Sequence, residues 1–368
     1  MRNPLHSICP YFAMFPESFV TEYVDRYTNP GDFVFDPFCG RGTAILQSLL
    51  MDRNAAGGDI NPVAYCISAA KAKLPSLATA IDKIDSLQSA FRDENKADLT
   101  RERRSLPLFF QYAFQANTLA AILFLRRVLN WQSDAVDRFV ATLTLGALHG
   151  EMDKSSSYLS NQMPRTISTK PTYSISYWRR HRLKPPRRDV FALLRTKAKH
   201  RLAGEMPRRE GFVTMADARE SAESFPMLFR KVRAVITSPP YLNVTRYEED
   251  QWLRLWFLGH EPGPTYGRIS KDDRHAGHDN YWEFLAESWA GIRPLMGRNS
   301  VLVCRLGGKD VRRKELTENL YETLLSSFPC AYLLAPPKAS KIRPQHGLYF
   351  QPKARGCRFE IDYVFKLN

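Results

Sequence analysis

The sequence lacks the features by which several large classes of protein are recognised. Its six cysteines are scattered singly through 368 residues, with no C-x-x-C pair and no histidines at zinc-finger spacing. This excludes a disulfide framework and a structural zinc site, so we expect reduced thiols and no bound metal. No apolar run approaches the roughly 18 residues that span a bilayer, and the first residues do not form a secretory signal. We therefore expect no membrane association and a cytoplasmic location.

What the sequence does contain is the composition of a globular protein with an excess of positive charge. Hydrophobic residues make up 44% of the chain and charged residues 25%, which argues against a disordered protein. The formal net charge is +15, which favours a polyanionic partner. Residues 154–209 hold 15 lysines and arginines but only two acidic residues, so this basic segment carries +13 of the total.

The order of apolar and glycine-containing segments predicts a parallel sheet covered by helices. A β-rich run at 33–35 leads into a glycine loop and a helical pattern, and a second strand ends at Asp59 before another helix. The alternation stops near Pro75, where mainly helical patterns follow, and it resumes at Gly211. Seven strands are expected, near residues 33, 55, 212, 234, 301, 332 and 361.

The glycine loop, residues 36–43, is the first motif that suggests a ligand. Gly40 and Gly42 let the backbone approach a bound molecule, and the following helix offers unpaired N–H donors at its N-terminus. The same glycines would equally serve a tight strand-to-helix turn, and their spacing is not the G-x-G-x-x-G of a dinucleotide site. Asp59 is placed either to accept both hydroxyls of a ribose or to cap the next helix.

The tetrapeptide Ser238-Pro239-Pro240-Tyr241 directly follows an apolar strand. Consecutive prolines fix φ and remove two N–H donors, so the oxygens of Ser238 and Pro239 are presented rigidly as acceptors. Two such acceptors suit an exocyclic amino group, and Tyr241 offers a ring face on which a base can stack. The alternative without a ligand is a Pro-Pro turn with a buried tyrosine.

Together these two motifs resemble the S-adenosylmethionine-dependent DNA amino-methyltransferases. The glycine loop looks like their cofactor loop and the tetrapeptide like their catalytic motif, and the similarity extends over roughly residues 6–74 and 211–306. The resemblance implies an α/β fold, a Rossmann-like seven-stranded methyltransferase sheet with helices on both faces, interrupted by a mainly helical and basic insertion. It implies that S-adenosylmethionine is bound by Phe15 beside the methionine moiety, by Asp59 at the ribose, by Asp217 at the adenine amino group, and by Asp36, Phe38, Gly40, Gly42 and Thr43.

The same resemblance implies the domain order and the partners. Residues 1–74 are expected to be the cofactor-binding half, residues 75–210 the region that recognises the DNA target, and residues 211–368 the catalytic half. Double-stranded DNA is the expected partner, with its target base flipped out, and a cognate restriction endonuclease acting separately is a further candidate. The alternative for the basic segment is a solvated linker. Expected phosphate contacts are Arg179, Arg180, Arg182, Lys184, Arg187, Arg188 and Arg246.

The target base stays open at the level of sequence. Ser238 favours cytosine N4 over adenine N6, a preference that comes from the family's habit. An RNA amino group is a second alternative, although no RRM or KH signature accompanies it, and a non-catalytic DNA-binding protein of the same fold is a third. Methylation at cytosine C5 would need a Pro-Cys on the catalytic loop, and the only Pro-Cys of the sequence, Pro329-Cys330, lies elsewhere.

Overall fold

The chain separates into two compact units, each assembled from three segments. The structure, a computed structural model, describes residues 2–11, 15–150, 158–161, 170–242, 247–265, 278–308, 311–341, 357 and 359–367. A helical unit comprises Met1–Pro10, Leu74–Glu205 and Glu248–Gly267, and a sheet unit comprises Tyr11–Lys73, Met206–Tyr247 and Arg268–Asn368.

The sheet unit is built on one mixed sheet, which has eight strands in the part of the chain that the structure describes. The strands are β1 Phe33–Asp36, β2 Asn54–Gly58, β3 Phe212–Thr214, β4 Val232–Thr237, β5 Met296–Gly307, β6 Tyr332–Leu333, β7 Lys338–Lys341 and β8 Phe359–Lys366. Neighbouring strands follow the order β3-β2-β1-β4-β5-β8-β6, and β7 pairs with β8 off this path. Strands β1 to β5 are parallel, whereas β8 is antiparallel to β5, β6 and β7.

This strand order confirms the predicted fold class, a Rossmann-like methyltransferase sheet. All seven expected strands are present, and the short strand β7 is added to them. The sequence of β7, Lys-Ala-Ser-Lys, has no apolar alternation and every residue in it is exposed. Its extended conformation therefore depends on pairing with β8 and not on its own β-propensity.

Helices cover both faces of the sheet, because successive residues of a strand point to opposite faces. The helices of this unit are α1 Glu17–Tyr27, α2 Thr43–Leu50, α3 Pro62–Ala72, α11 Ser221–Ser224, α13 His278–Ile292 and α14 Arg313–Ser327. Val34 packs in an apolar cluster with Val20 of α1, whereas the next residue, Phe35, packs in a separate cluster with Trp289 of α13 and Leu320 of α14.

The helical unit has a core rich in aromatic side chains. The ring of Phe110 lies 4.5 Å from that of Trp256 and 6.0 Å from that of Trp252. This packing explains a difference from the predicted boundaries, since the segment 248–267 joins the helical unit although it lies within the predicted catalytic half, residues 211–368. The helices are α4 Leu77–Asp93, α5 Lys96–Ser105, α6 Leu108–Ala113, α7 Ala116–Val128, α8 Ala135–Leu145, α9 Pro171–Arg180, α10 Val190–Arg201 and α12 Tyr247–Phe257.

The basic segment is folded where the structure describes it, and the linker alternative does not hold there. Its residues form α9 and α10. Trp178 of α9 is fully buried, with its ring 5.6 Å from that of Phe109, whereas Tyr173 on the same helix is 52% exposed. Of the two, Trp178 therefore belongs to the core of the helical unit.

Three findings concern the disulfide, membrane and metal-binding classes of protein that the sequence argued against. All six cysteines are free thiols. Among the described residues, no helix combines the length and apolarity that a membrane crossing requires, and no cluster of three or more His, Cys, Asp or Glu side chains suits a metal ion.

Candidate active site

The glycine loop and the Ser-Pro-Pro-Tyr tetrapeptide begin at the ends of two adjacent strands. β1 pairs with β4 in parallel, Val34 lying opposite Ala234. The chain order of the strands reverses between β1 and β4, because β2 and β3 lie on one side and β5 on the other. In open α/β sheets, ligands bind outside the carboxyl ends of the strands at such a reversal. Both motifs therefore start at the edge of the sheet where a ligand site is expected.

A buried hydrogen bond ties the two strand ends together. The hydroxyl of Thr237, the last residue of β4, donates to Oδ1 of Asp36, the last residue of β1, at 2.6 Å. Phe38 N donates to the same oxygen at 3.0 Å. The second oxygen, Asp36 Oδ2, is buried and has no hydrogen-bond partner among the described residues. Such an oxygen is an acceptor that an N–H or O–H group of a ligand can satisfy.

The environment of Asp36 moves the titration of its carboxyl toward neutral pH. Its pKa is raised to about 7, chiefly by complete burial and to a smaller extent by the nearby Asp59 carboxylate, while the hydrogen bonds from Thr237 and Phe38 oppose the change. A carboxyl that titrates near neutral pH at a strand end is common at functional sites.

The backbone of the glycine loop requires both of its glycines. Gly40 and Gly42 have φ values of +50° and +70°, which side chains rarely tolerate. A Cβ atom on Gly42 would lie 2.8 Å from Cα and Cβ of Ser68 in α3. The turn into α2 therefore accounts for these glycines without a ligand, as the simpler alternative supposed. Thr43 begins α2, and its hydroxyl accepts from Arg41 Nε at 3.1 Å.

Asp59 connects the end of β2 to the glycine loop. Its Oδ2 accepts from Gly40 N at 2.8 Å, and its Oδ1 accepts from Asn61 N at 2.9 Å. The cap of α3 is Asn61, whose side-chain oxygen accepts from Val63 N at 2.9 Å. Burial raises the pKa of Asp59 to about 6, against the effect of these backbone donors. Asp59 is thus hydrogen-bonded to the glycine loop and is not the cap of the helix.

Asp217 follows β3. Each of the three adjacent strands β1, β2 and β3 therefore has an aspartate at or shortly after its carboxyl end. Its two oxygens accept Nε and Nη2 of Arg219 at 3.1 and 2.9 Å, and Oδ1 also accepts the Arg219 backbone N–H at 3.1 Å. Arg219 reaches further, to Glu287 Oε2 at 2.8 Å. The predicted acceptor of the adenine amino group is therefore held in an ion pair.

The two phenylalanines expected near the cofactor differ in exposure. Phe15 is buried in the core beside α1, with its ring 5.1 Å from that of Phe19. Phe38 is half-buried, and its ring lies edge-on to that of Phe284 at 5.8 Å. Of the two, Phe38 has more surface available to a ligand.

Within the tetrapeptide, Ser238 and Pro240 are half-buried, and Pro239 and Tyr241 are buried. The Tyr241 hydroxyl donates to Glu360 Oε1 in β8 at 2.9 Å. Burial, together with the Glu360 carboxylate, raises the pKa of Tyr241 well above its ordinary value. The phenol therefore remains neutral at physiological pH.

Sequence reasoning missed Glu360 and its neighbours Arg305 and Asp362. Arg305 of β5 donates to both carboxylate oxygens of Asp362, at 2.6 and 2.9 Å. The available signal was the alternation of Glu360 and Asp362 in the last strand, which puts two carboxylates on one face of an otherwise apolar element.

The predicted phosphate-contacting residues divide by their environment. Arg179 is exposed but donates to the Tyr112 hydroxyl at 2.8 Å. Arg188 is half-buried and donates to the Tyr158 carbonyl at 3.1 Å, so it supports the fold of the helical unit. Arg246 lies outside the described residues. The remaining predicted contacts are all exposed residues of the helical unit: Arg180, Arg182, Lys184 and Arg187.

Comparison with known proteins matches the first part of the chain. The model of a family described as DNA methylase matches residues 3–70. The Type II methyltransferase M.MjaII of Methanocaldococcus jannaschii is 37% identical over 67 residues, which are 18% of this chain and 13% of that protein. The orphan methyltransferase M.BamHII of Bacillus amyloliquefaciens is 39% identical over 54 residues, 15% of this chain and 20% of that protein. The chain thus spans a fifth or less of the length of these relatives.

The comparison with solved structures finds proteins that have little sequence in common with this chain. The rRNA methyltransferase aviRa from Streptomyces viridochromogenes has a TM-score of 0.33 and 12% identity, over all of this chain and 90% of that one. TrmN from Thermus thermophilus has a TM-score of 0.33 and 10% identity, over all of this chain and 52% of that one. The fold assignment depends on the strand order and not on these superpositions.

Proposed function

We propose that the chain transfers a methyl group from S-adenosylmethionine to an amino group of a DNA base, because residues 3–70 match the DNA methylase family model and two methyltransferases are similar to part of the chain. The acceptor we propose is N4 of cytosine. The matched segment contains the glycine loop and Asp59, whereas the Ser-Pro-Pro-Tyr tetrapeptide lies outside it. The proposal therefore needs an argument that joins the two motifs.

The observation that carries the proposal is the 2.6 Å hydrogen bond between Thr237 and Asp36. It joins the residue before Ser238 to the first residue of the glycine loop, at the point where the strand order reverses. A group held by the loop and a group held by the tetrapeptide would consequently be neighbours. Transfer between two bound molecules requires such proximity.

The residues around the glycine loop fit S-adenosylmethionine. Asp59 uses each carboxylate oxygen once in the structure, and each oxygen has capacity for a ribose hydroxyl as well. Asp36 Oδ2 is a buried acceptor to which a ligand can donate, and the half-buried ring of Phe38 offers an apolar surface. Phe15, Gly40, Gly42, Thr43 and Asp217 complete the proposed site. When bound, the cofactor supplies a methyl group on a positively charged sulfur.

In this proposal the tetrapeptide makes an aromatic amine a better nucleophile. The nitrogen lone pair of cytosine or adenine is delocalised into the ring, so the amine is a poor nucleophile. Acceptance of its two N–H groups by Ser238 and the Pro239 carbonyl, with Pro240 keeping the turn rigid, favours a pyramidal nitrogen whose lone pair points at the methyl group. The new C–N bond forms as the C–S bond breaks, and one N–H proton then leaves to water.

The DNA partner follows from the charge and from the chemistry. A base in a duplex cannot reach a sheet edge without leaving the stack, so we propose that the target base is flipped and stacks on Tyr241. The cations of the helical unit, among them Arg180 and Arg182, then provide phosphate contacts. A separately acting restriction endonuclease of the same site specificity remains part of this proposal.

The test is a transfer assay with radiolabelled S-adenosylmethionine. Duplex DNA of varied sequence is methylated by the full chain, hydrolysed to nucleosides and separated, with RNA as a competing substrate. We expect N4-methylcytosine. N6-methyladenine alone would refute the cytosine assignment, preferential labelling of RNA would refute the DNA assignment, and a bound cofactor without any transfer would refute the enzyme itself.

A matched pair of variants assigns the reaction to the tetrapeptide. Ser238→Ala removes a proposed acceptor, and Ser340→Ala removes an exposed hydroxyl from β7 in the same unit. We expect turnover to fall by about 10²-fold in the first variant, the scale of losing one aligned polar group in a transition state. The second variant should keep the turnover of the unmodified chain.

A further inference from the structure

The Tyr241 side chain lies next to one pair of residues in adjacent strands. Its hydroxyl donates to Glu360 of β8 at 2.9 Å. One edge of its ring is near Gly307 of β5, where an added Cβ atom would lie 2.9 Å from Tyr241 Cε2. Gly307 and Glu360 are direct partners in the antiparallel pairing of β5 with β8. The residues next to the Tyr241 ring thus come from β5 and β8, and neither strand leads into the glycine loop or the tetrapeptide.

The two residues affect the tyrosine in different ways. The phenol oxygen lies on the axis about which χ2 rotates, so the hydrogen bond to Glu360 determines the direction of the side chain but not the plane of the ring. Gly307 leaves space for one edge of the ring, because a Cβ atom there would lie 2.9 Å from Tyr241 Cε2.

Glu360 is itself held in place by a cation. Arg305 Nη1 lies 3.6 Å from Glu360 Oε2, while the same guanidinium binds Asp362 through two hydrogen bonds. The side chains of Arg305 and Asp362 are 12% and 7% exposed, and the ring of Phe19 lies 4.1 Å from the guanidinium carbon. Ion pairs with several hydrogen bonds in a partly buried site resist rearrangement more than exposed pairs do.

We propose that Glu360 is a positioning residue for methyl transfer, acting through the hydroxyl of Tyr241. This inference rests on the proposed function and deepens it, since it names what orients the ring on which the target base stacks. Without Glu360, the hydroxyl of a tyrosine that is only 5% exposed would lose its 2.9 Å acceptor inside the protein. The ring would turn toward water, and a misplacement of about 1 Å at a reacting group lowers rates by about 10²-fold.

The first experiment compares turnover in four variants of the full chain and in one control variant. Glu360→Ala should lower kcat by about 10-fold to 10²-fold, with the KM for S-adenosylmethionine changed less than about twofold. Glu360→Gln should stay within about threefold of the unmodified chain, because its amide oxygen still accepts the phenol proton. The kcat of Tyr241→Phe should match that of Glu360→Ala. The double variant, which combines Tyr241→Phe with Glu360→Ala, should be no slower than Tyr241→Phe. Glu318→Ala, an exposed carboxylate on α14, is the control.

Two results would overturn the proposal. One is a kcat in folded Glu360→Ala within twofold of the unmodified chain; the other is a double variant about tenfold slower than Tyr241→Phe. If Glu360→Ala does not fold, a Tyr241→Phe variant with undiminished turnover overturns it equally, since the hydroxyl would then have no role.

A second readout does not require activity. Urea unfolding of the unmodified chain, the two single variants and the double variant gives the coupling between Tyr241 and Glu360 from a double-mutant cycle, and we expect the effects of the two substitutions on stability to be non-additive. An unmodified chain that transfers no methyl group would refute the proposed function while leaving this coupling measurable. Strictly additive effects on stability would show that Tyr241 and Glu360 do not interact, and this result would overturn the positioning role.

Discussion

Substitution of Tyr241 tests whether the chain is an enzyme or a non-catalytic DNA-binding protein of the same fold. Tyr241→Ala removes the proposed stacking surface but none of the exposed cations, so we expect turnover to fall by at least about 10²-fold while the Kd for DNA changes little. Methyl transfer and fluorescence anisotropy with a labelled duplex measure the two effects. Tyr332→Ala, which removes a 48% exposed tyrosine from β6, should leave both unchanged. Equal losses of turnover and DNA affinity in a folded Tyr241→Ala variant would favour the non-catalytic alternative.

Asp36 makes the stability of the sheet unit depend on pH. Because its pKa is raised to about 7 in the folded protein, the folded state holds a proton that the unfolded chain releases near its ordinary pKa. The contribution of Asp36 to stability is therefore complete below about pH 4 and is lost as the pH rises toward 7.

Asp36→Asn tests this dependence. The variant keeps an oxygen for Thr237 and removes the titration, so its free energy of unfolding should rise relative to the unmodified chain by on the order of a few kcal/mol between pH 4 and pH 7. Urea unfolding at several pH values measures the difference. Asp25→Asn, at an exposed position of α1, should show no such trend. A constant difference between the Asp36→Asn variant and the unmodified chain would contradict the assignment.

At the scale of elements, the approach of α2 to α3 depends on Gly42. Gly42→Ala meets both a positive φ and a contact of 2.8 Å with Ser68, whereas Gly31→Ala meets a positive φ of +89° with nothing within 4 Å of the new Cβ. We expect Gly31→Ala to cost about 1 kcal/mol of stability and Gly42→Ala clearly more. Thermal unfolding measures both. Equal costs would show that backbone strain alone, and not helix packing, requires the glycine.

Helix α9 anchors the basic segment through one buried ring. Trp178→Ala should lower the free energy of unfolding of the helical unit by about 3–5 kcal/mol, the usual cost of deleting a buried aromatic side chain. Tyr173→Ala on the same helix removes an exposed ring and should change it by less than about 0.5 kcal/mol. Urea unfolding followed by circular dichroism measures both. Similar values for the two would place Trp178 outside the core.

At the scale of the whole molecule, the concentration of positive charge predicts a salt-dependent affinity for DNA. Replacing Arg180, Arg182, Lys184 and Arg187 together by glutamine should weaken binding, and it should reduce the slope of log K against log salt by about 0.9 for each phosphate that is no longer neutralised. Anisotropy titrations at several salt concentrations give the slope. Replacing Arg101 and Arg104 of α5, which are also exposed, is the control. An unchanged slope in the fourfold variant would place the DNA-binding surface elsewhere.

Much of the local structure could be predicted from the sequence. Helix α4 runs over Leu77–Asp93, in the stretch after Pro75 whose pattern predicted helices, because apolar spacing and the capping oxygen of Ser76 act within one turn. The resemblance to the DNA amino-methyltransferases is confirmed over residues 3–70 for a similar reason, since the glycine loop is a contiguous motif. The roles of the individual site residues stay predictions.

What the sequence by itself determined is the set of elements, their order and the two motifs, because these depend on residues a few positions apart. Only the tertiary structure decided that β1 lies beside β4, that β7 is a strand, that residues 248–267 join the helices, and that Glu360 meets Tyr241. The reason is physical: apolar alternation states that a strand will be buried but not which strand it pairs with. Partners far apart in the chain are chosen by the packing of the whole unit.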